Sequence, residues 1–289
     1  MFMVLDQELI ALNQRGFIPG PSETKEEFLA RVHACETFSL SPQKFFESQK
    51  LSPPFPLDKI VPRHHWDLKR SNLIRLFDIS PDWLIAYYHP KGLKLWHGAM
   101  TWILQDPQTG YFFTLLQFRT KKIFFGMYAF DELFAHEAAH AARMAFQENS
   151  YEEIFAYLTS SVWLRRIFGP IVQRPWELWL FTGLLGSASL TVFLNLIGNF
   201  YLLTLFVYFI IVGYVSLGVM RLLKKHRRFK KAYAKLKTIC KPGKVYAFLF
   251  RLTDNEINFF SKSSVEEIIK YFSKESSLRW HLLRQAYLQ

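Results

Sequence analysis

The chain has 289 residues, is 50% hydrophobic and 17% aromatic, and carries a formal net charge of +12. That apolar content excludes a disordered or low-complexity chain, and the two cysteines, Cys35 and Cys240, are too few and too far apart for a disulfide scaffold or a cysteine-based zinc cage. They fit a reducing compartment, and residues 1–12, with Asp6 and Glu8 and no basic or long apolar stretch, predict no signal peptide.

Residues 5–14 predict a short helix, and Gly16, Pro19, Gly20 and Pro21 break the chain after it. Thr24 followed three residues later by Glu27 is a capping-box signature that opens a second helix through Val32. Ser52, Pro53, Pro54 and Pro56 predict a linker that closes an N-terminal helical segment, residues 1–60. The stretch from Gly16 to Phe28 resembles an uncharacterised bacterial membrane-protein family of chlamydial type, a resemblance that implies no known activity. Between Asp82 and Arg119 the pattern changes to β: residues 93–104 and 111–118 are rich in aromatic and apolar side chains, and the turn residues Pro107 and Gly110 between them predict a hairpin. His33, His64 and His65 have no partner at ligand spacing and are expected in surface or packing roles.

The next segment carries the chemistry. His136, Glu137 and His140 form an H-E-x-x-H string in an Ala-rich stretch of high helix propensity, with Asp131 and Glu132 where a helix start favours acidic residues. Positions i and i+4 share a helix face, so both imidazoles can reach one ion, and Glu137 can reach a water beside it. The structural alternative is an amphipathic helix whose two histidines merely share a face. A catalytic zinc takes three protein ligands and leaves one position open, and Glu152 and Glu153 are the candidates for the third. The first helix is expected to reach about Gln147, and a second to restart at Tyr151 with Ser150 as N-cap and Glu153 as its capping-box partner, which is also the structural alternative for Glu153.

Here the chain resembles the gluzincin zinc metallopeptidases, whose second helix carries a metal-binding Glu followed three residues later by a small residue, as in Glu153 and Ala156. The resemblance covers about a tenth of the chain and implies His136, His140 and Glu153 as Zn2+ ligands with Glu137 as general base. The interval from His140 to Glu153 is shorter than in that group, and Tyr157 stands where Asp or Asn is common, so Glu152 remains a rival ligand. His97 and Tyr157 are candidates for steadying an oxyanion, each with an ordinary packing role as the alternative. A small sheet ahead of the H-E-x-x-H helix suits a zincin-like domain over residues 61–175, where an edge strand can bind an extended substrate.

From Leu178 through Met220 there is not one formal charge, about twice the ~20 residues needed to span a bilayer. Asn195, Gly198 and Asn199 near its middle predict a transmembrane helical hairpin, residues 176–221, with spans at 178–196 and 200–220 and Trp176 and Trp179 as interfacial anchors. Between Arg221 and Lys244 lie eleven Lys or Arg residues and no acid, and Arg165, Arg166 and Arg174 flank the other end. Positive-inside then places both termini and the site in the cytoplasm, a multi-pass arrangement in a bacterial inner membrane. The basic run 221–244 is expected to meet anionic lipid head groups, and no nucleic-acid motif supports the other use of such a run. In the remaining segment, 222–289, residues 245–252 predict an apolar strand, and 264–271 and 278–288 predict helices, a tail that docks on the catalytic domain or the membrane surface.

The fold expected is therefore α+β: a zincin-like domain, a two-helix transmembrane hairpin and a basic α/β cytoplasmic tail. The function expected is membrane-anchored, zinc-dependent hydrolysis of peptides or membrane proteins. The alternatives are a noncatalytic membrane-hairpin scaffold or lipid-binding protein, and a degenerate zincin without turnover.

Overall fold

The computed structural model describes residues 2–67, 71–94, 97–120, 128–171 and 175–289. Arg174 and positions 95 and 96 of the expected first strand lie outside them. The N-terminal part consists of α1 (Phe2–Gln14), α2 (Lys25–Leu40), α3 (Pro42–Ser48), α4 (His64–Asp67) and α5 (Ser71–Phe77). The capping box at the head of α2 forms as expected: the Thr24 hydroxyl accepts from the Glu27 N–H, and the Glu27 carboxylate accepts from the Thr24 N–H at 2.9 Å. The Pro-rich segment after α3 is irregular, yet Phe55 is buried against Tyr87, His89 and Trp102.

Among the described residues three strands follow, β1 (Ala86–Tyr88), β2 (Ala99–Gln105) and β3 (Phe112–Phe118), in the order β1-β3-β2, with β1 parallel and β2 antiparallel to β3. The hairpin is the expected one, but its first strand starts at Ala99 rather than at Leu93. The Arg119 guanidinium donates to the carbonyls of Leu93, Lys94 and His97 at 2.6–3.0 Å, which holds this stretch out of the ladder. Side chains alternate on β3 with period two. Phe113 meets Phe38, Phe45 and Phe46 of α2 and α3, whereas Phe118 points the other way, onto Phe130 and Phe134.

Phe130 and Phe134 belong to α6 (Phe130–Ala142), which meets the sheet through these two rings on Phe118 and through Glu137 on Thr101, while Ala135, Ala138, Ala139 and Ala142 are all at most 2% exposed. Helix α6 stops at Ala142 instead of about Gln147: the Arg143 and Met144 N–H groups turn back to the carbonyls of His140 and Ala141, and Gln147 takes a left-handed φ of 51°. Next come α7 (Glu152–Leu158), α8 (Trp163–Phe168) and a 3-10 turn, Gly169–Ile171. Gly169 lies directly beneath the Tyr157 ring, where any Cβ would collide with it.

Helices α9 (Pro175–Leu194) and α10 (Tyr201–Leu236) are long and apolar enough to cross a membrane, and only 17% and 11% of their apolar stretches are buried. They pack antiparallel, joined at one end by Asn195 donating to Thr204 at 2.7 Å and at the other by an Arg221–Glu177 pair at 2.8 Å. The expected second span ends at Met220, but the helix continues to Leu236 because Arg221, Leu222, Leu223, Lys224 and Lys225 are good helix formers and no Gly or Pro intervenes. The basic stretch therefore extends a further 22 Å or so from the apolar part as rigid helix. Several of its cations face inward: Lys225 donates to the Ser150 carbonyl, Arg228 to Asn258, Lys235 to the Ser261 carbonyl, and Lys244 pairs with Asp78.

The tail is helical, not α/β: α11 (Val245–Leu249), α12 (Asp254–Lys262), α13 (Val265–Lys274) and α14 (Leu278–Tyr287). The strand expected at 245–252 is helix and turn, because Val245, Ala247, Phe248, Leu249, Phe250 and Leu252 are all buried and a run apolar on every side has no period to distinguish the two. The tail shares one hydrophobic core with the N-terminal helices and with α6 and α7. Phe250 stacks on Phe77 at 4.1 Å, and the buried Arg251 donates to the carbonyls of Phe77 and Ala247 and to Asn13. Cys35 and Cys240 are buried free thiols, and burial pushes both up to about 12.

Candidate metal centre

Four residues apart on α6, His136 and His140 present their imidazoles on one face with Nε2 atoms 3.3 Å apart. Helix α7 crosses this face and delivers both glutamates, to different sides of the histidines. Glu153 reaches the Nε2 side, with Oε2 3.7 Å from His136 Nε2 and Oε1 3.6 Å from His140 Nε2. Glu152 reaches the far side of His140, with Oε1 3.0 Å from Nδ1. The ligand atoms that His136, His140 and Glu153 can offer lie within 4.8 Å of one another.

Two imidazole nitrogens at zinc-ligand distance from one tetrahedral ion are about 3.3 Å apart, and a carboxylate oxygen completing the set is about the same distance from each. The His136–His140 separation meets that value, and Glu153 brings a different oxygen toward each nitrogen, Oε2 at 3.7 Å from His136 and Oε1 at 3.6 Å from His140. Glu152 occupies the position from which a carboxylate fixes the tautomer and ring orientation of a metal-binding histidine. Tyr157 sets its ring edge-on against His136, centroids 4.7 Å apart.

Glu137 points to β2, where its Oε2 accepts from Thr101 Oγ1 at 2.7 Å, and the same hydroxyl lies 2.9 Å from the Glu137 carbonyl oxygen. Burial, with Glu153 adding to it, pushes the Glu137 carboxyl above its ordinary value against the opposing pull of His140 and Thr101. Burial raises Glu153 too, with Glu152 contributing. Burial and then His140 hold His136 well below the usual histidine range. Burial alone would lower His140 as well, but the hydrogen bond to Glu152 and the charges of Glu153, Glu152 and Glu137 outweigh it and raise it to about 9. Three carboxyl groups outnumber the Arg143 guanidinium on the same cavity, and a proton on His140 or a bound cation would offset the remainder.

The seven residues singled out in the sequence, His97, His136, Glu137, His140, Glu152, Glu153 and Tyr157, line one cavity of about 890 Å³. Ala99, Met100, Thr101 and Ile103 of β2 form its opposite wall. The bonds from Arg119 N–H to the Gly98 carbonyl and from Asp106 N–H to the Tyr111 carbonyl fix the phase of the β2-β3 ladder. Antiparallel pairing alternates, so the N–H and C=O groups of Ala99, Thr101 and Ile103 face away from β3, toward the edge that the cavity follows.

Residues that sequence reasoning missed hold the glutamate helix in place. Ser150 does not cap α7 and Glu153 does not close a capping box; Tyr151 is the N-cap residue and makes no side-chain cap bond. Asp254 of α12 supplies the cap instead, accepting from the Ser150 N–H at 2.7 Å and the Tyr151 N–H at 3.2 Å, while Glu148 accepts from the Asp254 N–H. Released from capping, Glu153 is available to the histidines. No local signal links Asp254 to a helix start a hundred residues earlier. Asp254→Ala is expected to lower stability by about 1 kcal/mol, as other cap losses do. It should also weaken zinc retention, and urea unfolding with metal analysis on the same preparations would check both. At the other end of α6, Glu132 pairs with Arg165 and accepts from Ser160, which ties the start of that helix to α8.

The chain matches no family model, no curated protein and no solved structure.

Proposed function

We propose that the protein is a membrane-anchored zinc hydrolase of peptide bonds, with its site on the cytoplasmic face of a bacterial inner membrane. The observation that supports this reading is the grouping of two imidazole nitrogens 3.3 Å apart and the Glu153 carboxylate, with ligand atoms within 4.8 Å of one another, beside a buried Glu137 on a cavity wall. The order of sheet, H-E-x-x-H helix and glutamate helix is what the gluzincin resemblance implies. His136, His140 and Glu153 would hold the ion, with Glu152 orienting His140. Zinc would supply a Lewis acid that polarises the scissile carbonyl and acidifies water.

Glu137 is placed to accept the proton of the attacking water and to return it to the leaving amine. Thr101 fixes the carboxylate that must do this. The outward N–H and C=O groups of Thr101 and Ile103 would pair with the backbone of an extended peptide and set its carbonyl over the site. Tyr157 and His97, on the same cavity, would steady the developing oxyanion. Helices α9 and α10 would anchor the chain, with Arg165, Arg166 and the α10 cations on the inner side. Of the basic run, Lys224 and Arg227 are exposed in the first turns beyond the apolar stretch and are the residues placed to meet anionic head groups. Peptides and membrane proteins leaving the bilayer nearby are the substrates this placement favours.

The test is zinc per chain by elemental analysis of the detergent-purified protein, beside peptide hydrolysis. One zinc in wild type and in Glu137→Gln, almost none in His140→Ala, and hydrolysis in wild type alone would support the reading. Wild type without zinc would end it and leave a membrane-hairpin scaffold.

A further inference from the structure

Helix α8 and the residue before it carry five large apolar side chains on the outside: Val162 is 36% exposed, Trp163 64%, Leu164 47%, Ile167 36% and Phe168 45%. No residue of α8 is buried. Five such side chains within seven residues form a patch that water-facing surfaces rarely present, and one that marks an interaction site. Its position says with what. His226 Nε2 lies 3.0 Å from the Ile167 carbonyl oxygen, and Arg221 donates to the Ile171 carbonyl at 3.4 Å. These contacts pin α8 and the 3-10 turn beside residues 221–226 of α10, the level at which its uncharged stretch ends. Exposed Trp176 and Trp179 lie at the start of α9, whose Glu177 pairs with Arg221 at that level. The patch on α8 is thus continuous with the apolar surface of the hairpin, and Arg166 and Lys224 are exposed alongside it.

We propose that residues 162–168 form an interfacial docking element that lies in the head-group and acyl boundary of a lipid bilayer and holds the mouth of the Glu137 cavity at the membrane surface. Apolar side chains enter the acyl edge while cations remain among the phosphates, as in amphipathic segments that lie on membranes without crossing them. The connection to the site is direct. Gly169, one residue after α8, supports the Tyr157 ring, and Gly169 and Leu178 of α9 both line the cavity. Glu132 of α6 pairs with Arg165, so the docked element and the histidine helix are held together. The inference rests on α9 and α10 spanning the bilayer, but not on the metal.

Because both native cysteines are buried, single introduced cysteines can be labelled selectively in the full-length chain. Leu164→Cys, Phe168→Cys, Ser48→Cys on the exposed end of α3 and Phe209→Cys in the middle of the α10 span would be spin-labelled in phosphatidylcholine–phosphatidylglycerol vesicles. Collision with oxygen and with a nickel chelate would then report depth. The oxygen-to-nickel ratio is expected to be several-fold higher at 164 and 168 than at 48, and lower than at 209. Ratios at 164 and 168 equal to that at 48, with 209 still deep, would overturn the docking element alone. An aqueous 209 would overturn the hairpin and the docking element together. Zinc measured on the same vesicles reports the metal reading independently: lipid depth at 164 and 168 without zinc would leave the docking element standing.

Discussion

Glu153→Gln is expected to strip the protein of zinc, whereas Glu152→Gln, one residue away, should leave it metal-bound with an affinity about 10–100-fold weaker. The difference follows from which side of His140 each carboxylate approaches. Glu153 lies on the Nε2 side of both histidines, 3.6 and 3.7 Å from their nitrogens, so its loss removes a donor and one of the negative charges that would offset a divalent cation. Glu152 contacts Nδ1, so its amide analogue could keep a hydrogen bond while losing the charge that favours the Nε2 lone pair for the ion. Competition against a graded zinc chelator, followed by metal analysis, would separate the two variants. Equal retention of zinc in both would remove Glu153 as the third ligand, and equal loss would mean that Glu152 is more than a positioning residue.

The second large effect is expected at Glu256. This buried carboxylate pairs with Arg279 at 2.8 and 2.9 Å, accepts from Trp280 Nε1 at 2.8 Å and closes the capping box of α12 by accepting from the Thr253 N–H. Arg279 is itself 4% exposed and also donates to the Arg251 carbonyl, so Glu256→Ala would leave a buried guanidinium without its counter-charge. Breaking one side of such a pair costs about 3–5 kcal/mol. That is a large part of the 5–15 kcal/mol typical of a folded domain. Burial raises the Glu256 carboxyl, but the Arg279 charge and the hydrogen bonds from Arg279, Thr253 and Trp280 outweigh it, so the folded-state pKa falls below the ordinary 4.5. The depressed value fixes the sign. The contribution of Glu256 is fully present above the unfolded carboxylate pKa and is lost as pH drops through the folded one. Unfolding of wild type and Glu256→Gln in detergent should therefore differ most at neutral pH and converge under acid. Variants that unfold alike at pH 7 would show that the network contributes little.

Much of the local structure was legible because it depends on neighbours in sequence. The Thr24–Glu27 capping box forms because its partners are three residues apart, and the i, i+4 spacing alone put His136 and His140 on one face. The long uncharged stretch likewise became two exposed apolar helices, since length and charge alone set that property. Where a buried run had no polar side to give it a period, at 245–252, the sequence left strand and helix equivalent, and packing chose helix. Helix α10 runs on past the apolar stretch through local helix formers, but which groups its cations meet there, Ser150, Asn258 and Ser261, was decided by the fold.

What the sequence could not contain was the division of labour between Glu152 and Glu153. Adjacent residues on a helix point about 100° apart, so their roles depend on the azimuth at which α7 crosses α6. That azimuth is set from a distance, by Asp254 on the Ser150 and Tyr151 N–H groups and by Phe155 packed on Phe229 and Phe250. Likewise, the exposed turn at α8 gains its meaning from Arg221 and His226, which hold its end at the edge of the apolar helices. The sequence determined which chemical groups exist and which share a local face; tertiary structure decided which of them meet, because hydrogen bonds and packing across a hundred residues leave no periodic trace in the chain.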